Sequence, residues 1–351
     1  MIRELFGKKL LFLDGAMGTQ LQAAGLKPGD SPDIWNVTHA DTVREIHSRY
    51  LAAGSDIITA NTFGCNSLKL AGSGYSVEQI VKSAIANAKE AVAKAGSKPR
   101  FIALDIGPTG KLLKPLGDLS FEEAYSLFRE TILAGAAEGA DLILIETFSD
   151  AYELKAAVLA AKENCELPLI ASVTLDEKGR MLTGGGVDEI ITLLEGLSVD
   201  VISFNCGLGP EQLAPHISHA LSISSTPLLL MPNAGLPRQA AGAAKYGLSP
   251  EEFARAMRVN AENGVWLLGG CCGTTPDHIE TLVKTCEQIT PHPVTRKKPT
   301  AVSSYGKTIA FGKKPAVIGE RINPTGKPML QKALVSGDYD YALREGLAQV
   351  E

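Results

Sequence analysis

Eight short apolar runs, helical spacing between them and a total of about 280 residues in these repeats predict an α/β fold, a closed (β/α)8 barrel. A linker and the truncated start of a second domain, which the resemblance given below makes a second barrel, are expected to follow it. The runs are rich in Val, Ile, Leu, Phe and Ala, and each ends in small or polar residues. Near-continuous apolar character suits strands covered on both faces, as in a parallel sheet. An open doubly wound sheet is the alternative. The turn after the first run, Asp14-Gly15-Ala16-Met17-Gly18-Thr19, lacks the Gly-x-Gly-x-x-Gly spacing that a dinucleotide fold of that kind uses.

In chain order the expected strands are residues 10–14, 56–62, 101–105, 142–146, 169–174, 199–206, 228–233 and 265–271. Between the first two, Val43, Ile46, Tyr50 and Leu51 form one stripe of a helix over residues 42–53, with Arg44, Glu45 and Arg49 off it. Residues 122–137 and 151–163 behave alike. Ser249-Pro250-Glu251-Glu252 is a helix start, with a capping serine, proline in the first turn and acids after it. Thr275-Pro276-Asp277 repeats the signal before a helix that runs to about residue 285. The barrel is therefore placed at residues 1–289. The Pro- and Lys-rich stretch that follows makes 290–315 a linker. Residues 316–319 read as an apolar strand and 341–350 as a helix. So few elements cannot enclose a core, so 316–351 read as the opening of a second domain.

The chain has 351 residues, 45% hydrophobic and 21% charged, with 34 basic and 39 acidic side chains and so a net charge of −5. That balance argues against a nucleic-acid or polybasic membrane partner. No run approaches the roughly 18–20 apolar residues of a membrane helix, and the start lacks the apolar core and cleavage site of a secretory signal. A cytoplasmic location is expected, where the six cysteines stay reduced and a cluster among them suggests metal binding or catalysis.

In parallel barrels the site lies at the C-terminal ends of the strands. Those ends carry Asp14, Asn61, Thr62, Asp105, Glu146, Thr147, Thr174, Asp176, Asn205, Cys206, Asn233, Cys271 and Cys272. Any one alone could cap a helix or tie a loop; together they suggest a site. Cys206 ends the sixth run, and Cys271 with Cys272 end the eighth between Gly269-Gly270 and Gly273. Adjacent strand residues point to opposite faces, so both thiols reach one ion only if the backbone turns sharply, which flanking glycines permit. Three thiolates with an open fourth position suit a catalytic Zn2+. Small buried residues near a glycine-rich turn are the plain alternative. Cys65 remains open as a fourth ligand, whereas Cys165 and Cys286 read as bystanders. His216 and His219 fall on a helix outside the barrel, and Gly184-Gly185-Gly186 reads as a loop over the rim or a weak phosphate cradle.

Asp14-Gly15-Ala16-Met17-Gly18-Thr19, Asn61-Thr62-Phe63, Asp105-Ile106-Gly107-Pro108-Thr109-Gly110, Asn205-Cys206 and Gly269-Gly270-Cys271-Cys272-Gly273-Thr274 together resemble the homocysteine S-methyltransferase family. The likeness covers about residues 8–288. It implies a TIM barrel in which Cys206, Cys271 and Cys272 hold a zinc that binds the L-homocysteine thiol. The nucleophile is then the zinc-bound homocysteine thiolate, with no separate protein nucleophile. Ile318-Gly319-Glu320-Arg321-Ile322-Asn323-Pro324-Thr325-Gly326 resembles the start of the folate-binding barrel of cobalamin-dependent methionine synthases. That likeness implies Glu320 and Asn323 as folate-side residues. It also implies methylcobalamin as methyl donor, carried by a cobalamin-binding domain, and 5-methyltetrahydrofolate in the full-length enzyme. For the substrate ammonium, Glu146 or Asp105 is expected, with Asp14 next. The backbone N–H groups of Ala16, Met17, Gly18 and Thr19 are expected at the carboxylate, and Asn233 at the open metal position. Met17 is expected to pack rather than react. Two alternatives stand beside this: a cobalamin-independent methyltransferase using S-methylmethionine or betaine, and a zinc protein with a closed four-cysteine site that only stabilises the barrel.

Overall fold

The computed structural model describes residues 2–240, 243–297, 299–312 and 314–350. Eight parallel strands form one sheet: β1 (Leu11–Phe12), β2 (Ile57–Thr59), β3 (Phe101–Ile106), β4 (Leu142–Phe148), β5 (Leu169–Val173), β6 (Val201–Asn205), β7 (Leu228–Met231) and β8 (Leu267–Leu268). From β2 onward each strand pairs with the next, and β8 pairs with β1. The ring closes where Leu13 bridges Ile57; Leu13 N–H donates to the Leu268 carbonyl (2.7 Å) and Asp14 N–H to that of Ile57 (3.1 Å). This is the TIM barrel that the apolar runs imply.

Alternation along the strands sorts side chains into two cores. Leu142 and Leu144 of β4 join Leu11, Leu13, Ile57, Ile170, Val201, Leu229 and Leu267 inside the barrel, while Ile143 and Ile145 pack outward under the helices. Ile2, from the turn Ile2–Leu5, enters the interior core with Trp266 and plugs the N-terminal end. Its burial contributes about 1.5–3 kcal/mol.

The outer layer is α1 (Ala40–Ala52), α2 (Val77–Lys94), α3 (Phe121–Ala137), α4 (Ala151–Asn164), α5 (Val187–Gly196), α6 (Pro210–Ile223), α7 (Pro250–Glu262) and α8 (Pro276–Cys286). The stripe Val43, Ile46, Tyr50 and Leu51 of α1 is buried as its spacing requires, and His47 is buried with it. α7 opens with the expected cap: Ser249 Oγ accepts from Glu252 N–H (3.2 Å) and Glu252 Oε2 from Ser249 N–H (2.9 Å). None of the described helices is long and apolar enough to cross a membrane.

Two expectations need correction. Several strands stop short: β2 at Thr59, β7 at Met231 and β8 at Leu268. The polar residues beyond them leave the ladder and bond through turns and side chains instead. Residues 316–319 are not a strand, and Val317 is 99% exposed. A parallel strand needs partners for its N–H and C=O groups, and among the described residues it has none. The chain divides into two compact units, Met1–Lys298 with Val302–Thr308, and Pro299–Ala301 with Ile309–Glu351. After Phe311 the described residues of the second unit hold two helices, Pro328–Ser336 and Tyr339–Val350, and no strand. The start of a second barrel is therefore not seen.

Candidate active site and metal centre

A cavity of about 230 Å³ opens at the C-terminal ends of the strands. Of the residues expected there, Asp14, Ala16, Met17, Gly18, Thr19, Asp105, Glu146, Cys206, Cys271 and Cys272 line it together. Asn233 lies behind the lining, just past β7, with its N–H on the Leu208 carbonyl and its Oδ1 buried without a partner. Glu320 and Asn323 lie in the second unit, where Glu320 pairs with Lys327 (3.1 Å) and Asn323 Oδ1 accepts from Thr325 N–H (3.0 Å).

The three cysteines converge by two backbone turns. Cys206 follows β6 with φ +57°, a left-handed conformation rare outside glycine. After β8, Gly273 has φ +82°, and a Cβ there would meet the Tyr246 ring at 2.3 Å. Thr274 locks this turn: its hydroxyl donates to the Cys271 carbonyl (2.7 Å) and accepts from Ala16 N–H (3.1 Å). The Sγ atoms of Cys206, Cys271 and Cys272 all lie within 4.8 Å of one another, with Cys206 and Cys272 at 3.9 Å. Tetrahedral ligands at about 2.3 Å from zinc stand about 3.8 Å apart, so the spacing fits that ion. The protons tell the same story. Hydrogen bonds from Cys206 and Cys271, with help from Tyr246, push the Cys272 thiol down to about 3. Hydrogen bonding to Cys206 and Cys272 and then burial hold Cys271 well above its usual range. Three thiols this close cannot all ionise unless a cation joins them.

Among the described residues no fourth His, Cys, Asp or Glu ligand joins the cluster. Cys65 is buried with Sγ directed at the Val77 carbonyl (3.8 Å), Cys165 caps α4, and Cys286 is buried in α8. On α6 His216 is half-buried, and His219 is exposed and pairs with Asp188 (2.9 Å). Gly186 serves as the N-cap of α5, its N–H on Glu189 Oε2 (2.8 Å).

Three acids crowd the opposite wall. Asp14 accepts from Thr59 N–H (2.8 Å) and Oγ1 (3.1 Å), yet burial pushes its carboxyl up to about 7. Burial, then Asp14 and Cys272, push Glu146 up to about 8. Burial, then Glu146, Asp14 and Asp33, hold Asp105 well above the carboxylate range, and its Oδ1 is buried without a partner. Such a wall favours a cation with N–H groups to give. Nearby, the helix Met17–Ala23 starts at Ala16 without a side-chain cap, which leaves first-turn N–H groups free, and Thr19 Oγ1 is buried without a partner.

Sequence reading missed two contributors. Tyr246, after the hairpin of Arg238–Ala240 and Ala243–Lys245, reaches Cys272 from a loop with no periodic signal. Asn205, noted as a polar strand end and as part of the Asn205-Cys206 motif but given no role, bonds to Glu146 and Thr147.

Residues 11–286 match the family described as Homocysteine S-methyltransferase. The chain belongs to the homocysteine S-methyltransferase family. Methionine synthases of Mycobacterium leprae (strain TN) and Mycobacterium tuberculosis (strain ATCC 25618 / H37Rv) are 34% and 35% identical to it over 365 and 359 residues. These matches take in 97% of this chain and 30% of each relative, so the chain spans about a third of their length. The oxidized and metallated forms of the Escherichia coli homocysteine methyltransferase MmuM align with TM-scores of 0.66 and 0.65 at 24% identity. They cover 78% of this chain and 95% and 96% of their own, a likeness of fold. Within this methyltransferase family, the chain carries a cysteine cluster that can hold a metal.

Proposed function

We propose that this chain is the homocysteine-activating part of a methionine synthase. One observation carries the reading: three thiols at zinc spacing share a cavity with three acids. Cys206, Cys271 and Cys272 would hold Zn2+, with its fourth position kept for the sulfur of L-homocysteine. A zinc held by these thiolates would keep the substrate sulfur deprotonated at neutral pH, and its three anionic ligands would leave that sulfur electron-rich toward a methyl group. No protein nucleophile is then needed.

The chain's own residues bind and orient. Glu146 and Asp105 receive the ammonium, with Asp14 behind them. The N–H groups of Met17, Gly18 and Thr19 receive the carboxylate, and the unpartnered Thr19 hydroxyl adds a donor; the Ala16 N–H, expected with them, is held by Thr274 Oγ1 and lines the site beside them. The Met17 side chain packs against the core. Asn233, behind the lining with its Oδ1 unpartnered, would be a further group for the metal. Methylcobalamin is the proposed donor, presented by a cobalamin-binding domain and recharged from 5-methyltetrahydrofolate. In this scheme residues 1–289 are the homocysteine barrel, 290–315 the linker and 316–351, with Glu320 and Asn323, the start of a folate module. The mycobacterial methionine synthases align over 97% of the chain, tail included, which favours this reading over a cobalamin-independent enzyme.

Zinc analysis with methyl-transfer assays tests it. The chain should hold about one zinc and form methionine from methylcobalamin and homocysteine, but not from S-methylmethionine or betaine. Serine at any of the three cysteines should lower zinc content. The reverse donor preference, or full zinc retention in all three variants, would contradict the proposal.

A further inference from the structure

We infer that Asn205 is a positioning residue that fixes the distance between the ammonium-binding carboxylate and the sulfur-binding thiols, and so selects thiol amino acids by length. This rests on the function proposed above.

The Asn205 side chain is buried (1% exposed) at the last position of β6, next to Cys206. Its orientation is dictated by its partners. Oδ1 accepts from the Thr147 N–H (3.0 Å) and Ser172 Oγ (2.8 Å). A backbone N–H can only donate, so the amide nitrogen must face the other way. There Nδ2 donates to Glu146 Oε2 (3.1 Å) and Thr147 Oγ1 (2.8 Å) and stands 3.9 Å from Cys271 Sγ.

Thr147 holds φ +67°, a strained conformation for a β-branched residue, and the β4–β5 register breaks between Ile145 and Phe148. Asn205 bonds both the N–H and the hydroxyl of Thr147. It thereby holds the irregularity at which Glu146 lines the cavity. One side chain thus holds Glu146, at the ammonium, at a set distance from Cys271, at the sulfur, the thiols themselves being fixed by the metal they would share. With the brace in place, a thiol amino acid one methylene shorter cannot satisfy both ends. With the brace slack, it can.

The test is calorimetric titration of the zinc-loaded 351-residue chain with L-homocysteine, L-cysteine and 4-mercaptobutanoate, which is homocysteine without its amino group. The unaltered chain should prefer homocysteine to both. In Asn205→Ser the advantage over both should fall about tenfold or more. The Kd for 4-mercaptobutanoate should stay within about twofold, with zinc content retained, because the brace acts on the ammonium end. An unchanged advantage, or parallel weakening of all three ligands, would overturn the inference. If Asn205→Ser does not fold or hold zinc, Ser172→Ala decides, since it removes one anchor of Oδ1. It should cut the advantage about threefold, and no change would overturn the inference. An unaltered chain with no preference for homocysteine over 4-mercaptobutanoate would sink the proposed function, and this inference with it.

Discussion

Replacing Glu146 by Gln keeps the side-chain shape at the end of β4 and removes its charge. Burial, Asp14 and Cys272 push Glu146 up to about 8, so at pH 7 roughly a tenth of it is ionised. Receiving an ammonium must ionise the remainder, at about 1.4 kcal/mol per pKa unit. Removing one partner of a buried ion pair costs about 3–5 kcal/mol. The difference leaves about 1.6–3.6 kcal/mol, so Glu146→Gln should weaken homocysteine binding roughly 15- to 400-fold. The sign of the pH dependence follows. A proton leaves Glu146 on binding, so this carboxyl makes affinity rise with pH up to about 8 and flatten above it. The substrate thiol releases a second proton, which the variant retains. Calorimetry in buffers of differing ionisation enthalpy counts both. The unaltered chain should release about one proton more than Glu146→Gln near pH 6.5. Equal proton release with a Kd within about threefold would refute the assignment of Glu146 to the ammonium.

Other consequences can be measured on the same chain. Gly273→Ala places a Cβ 2.3 Å from the Tyr246 ring at φ +82°. Left-handed strain of about 1 kcal/mol and overpacking of about 1–3 kcal/mol should lower the urea midpoint and weaken zinc binding, and an unchanged midpoint would contradict the geometry. His47 is buried with neither ring nitrogen partnered, and burial pushes it from 6.5 down to about 4. Between those values the unfolded chain takes up a proton that the folded one does not, so His47 removes up to about 3 kcal/mol of stability as pH falls. The raised Asp14 and Glu146 act in the opposite direction, so the difference between the unaltered chain and His47→Leu isolates this contribution. Parallel stability–pH curves would rule it out. Cys65→Ala should leave zinc content unchanged, because that thiol faces the Val77 carbonyl; lost zinc would make Cys65 a ligand.

The barrel was legible because strands covered on both faces must be apolar throughout, a pattern that survives without knowledge of partners. Residues 316–319 share that pattern and form no strand, because a strand is completed by neighbours and these residues have none among those described. The cavity wall was readable from strand ends alone, since parallel strands deliver Asp14, Asp105 and Glu146 to one rim. The adjacent cysteines announced themselves through the glycines that let the chain turn. The left-handed turn at Cys206, made without help from glycine at that position, could not be read from residue types. Tyr246 and the bracing by Asn205 depend on which side chains meet across loops, and His47 lies off the apolar stripe of its helix. None of these leaves a periodic trace.

X-ray absorption at the zinc edge, with and without homocysteine, tests the central claim most directly. Zinc held by Cys206, Cys271 and Cys272 should show three sulfurs at about 2.3 Å, and homocysteine should add a fourth. A sulfur count that homocysteine leaves unchanged would contradict activation of the substrate at this site.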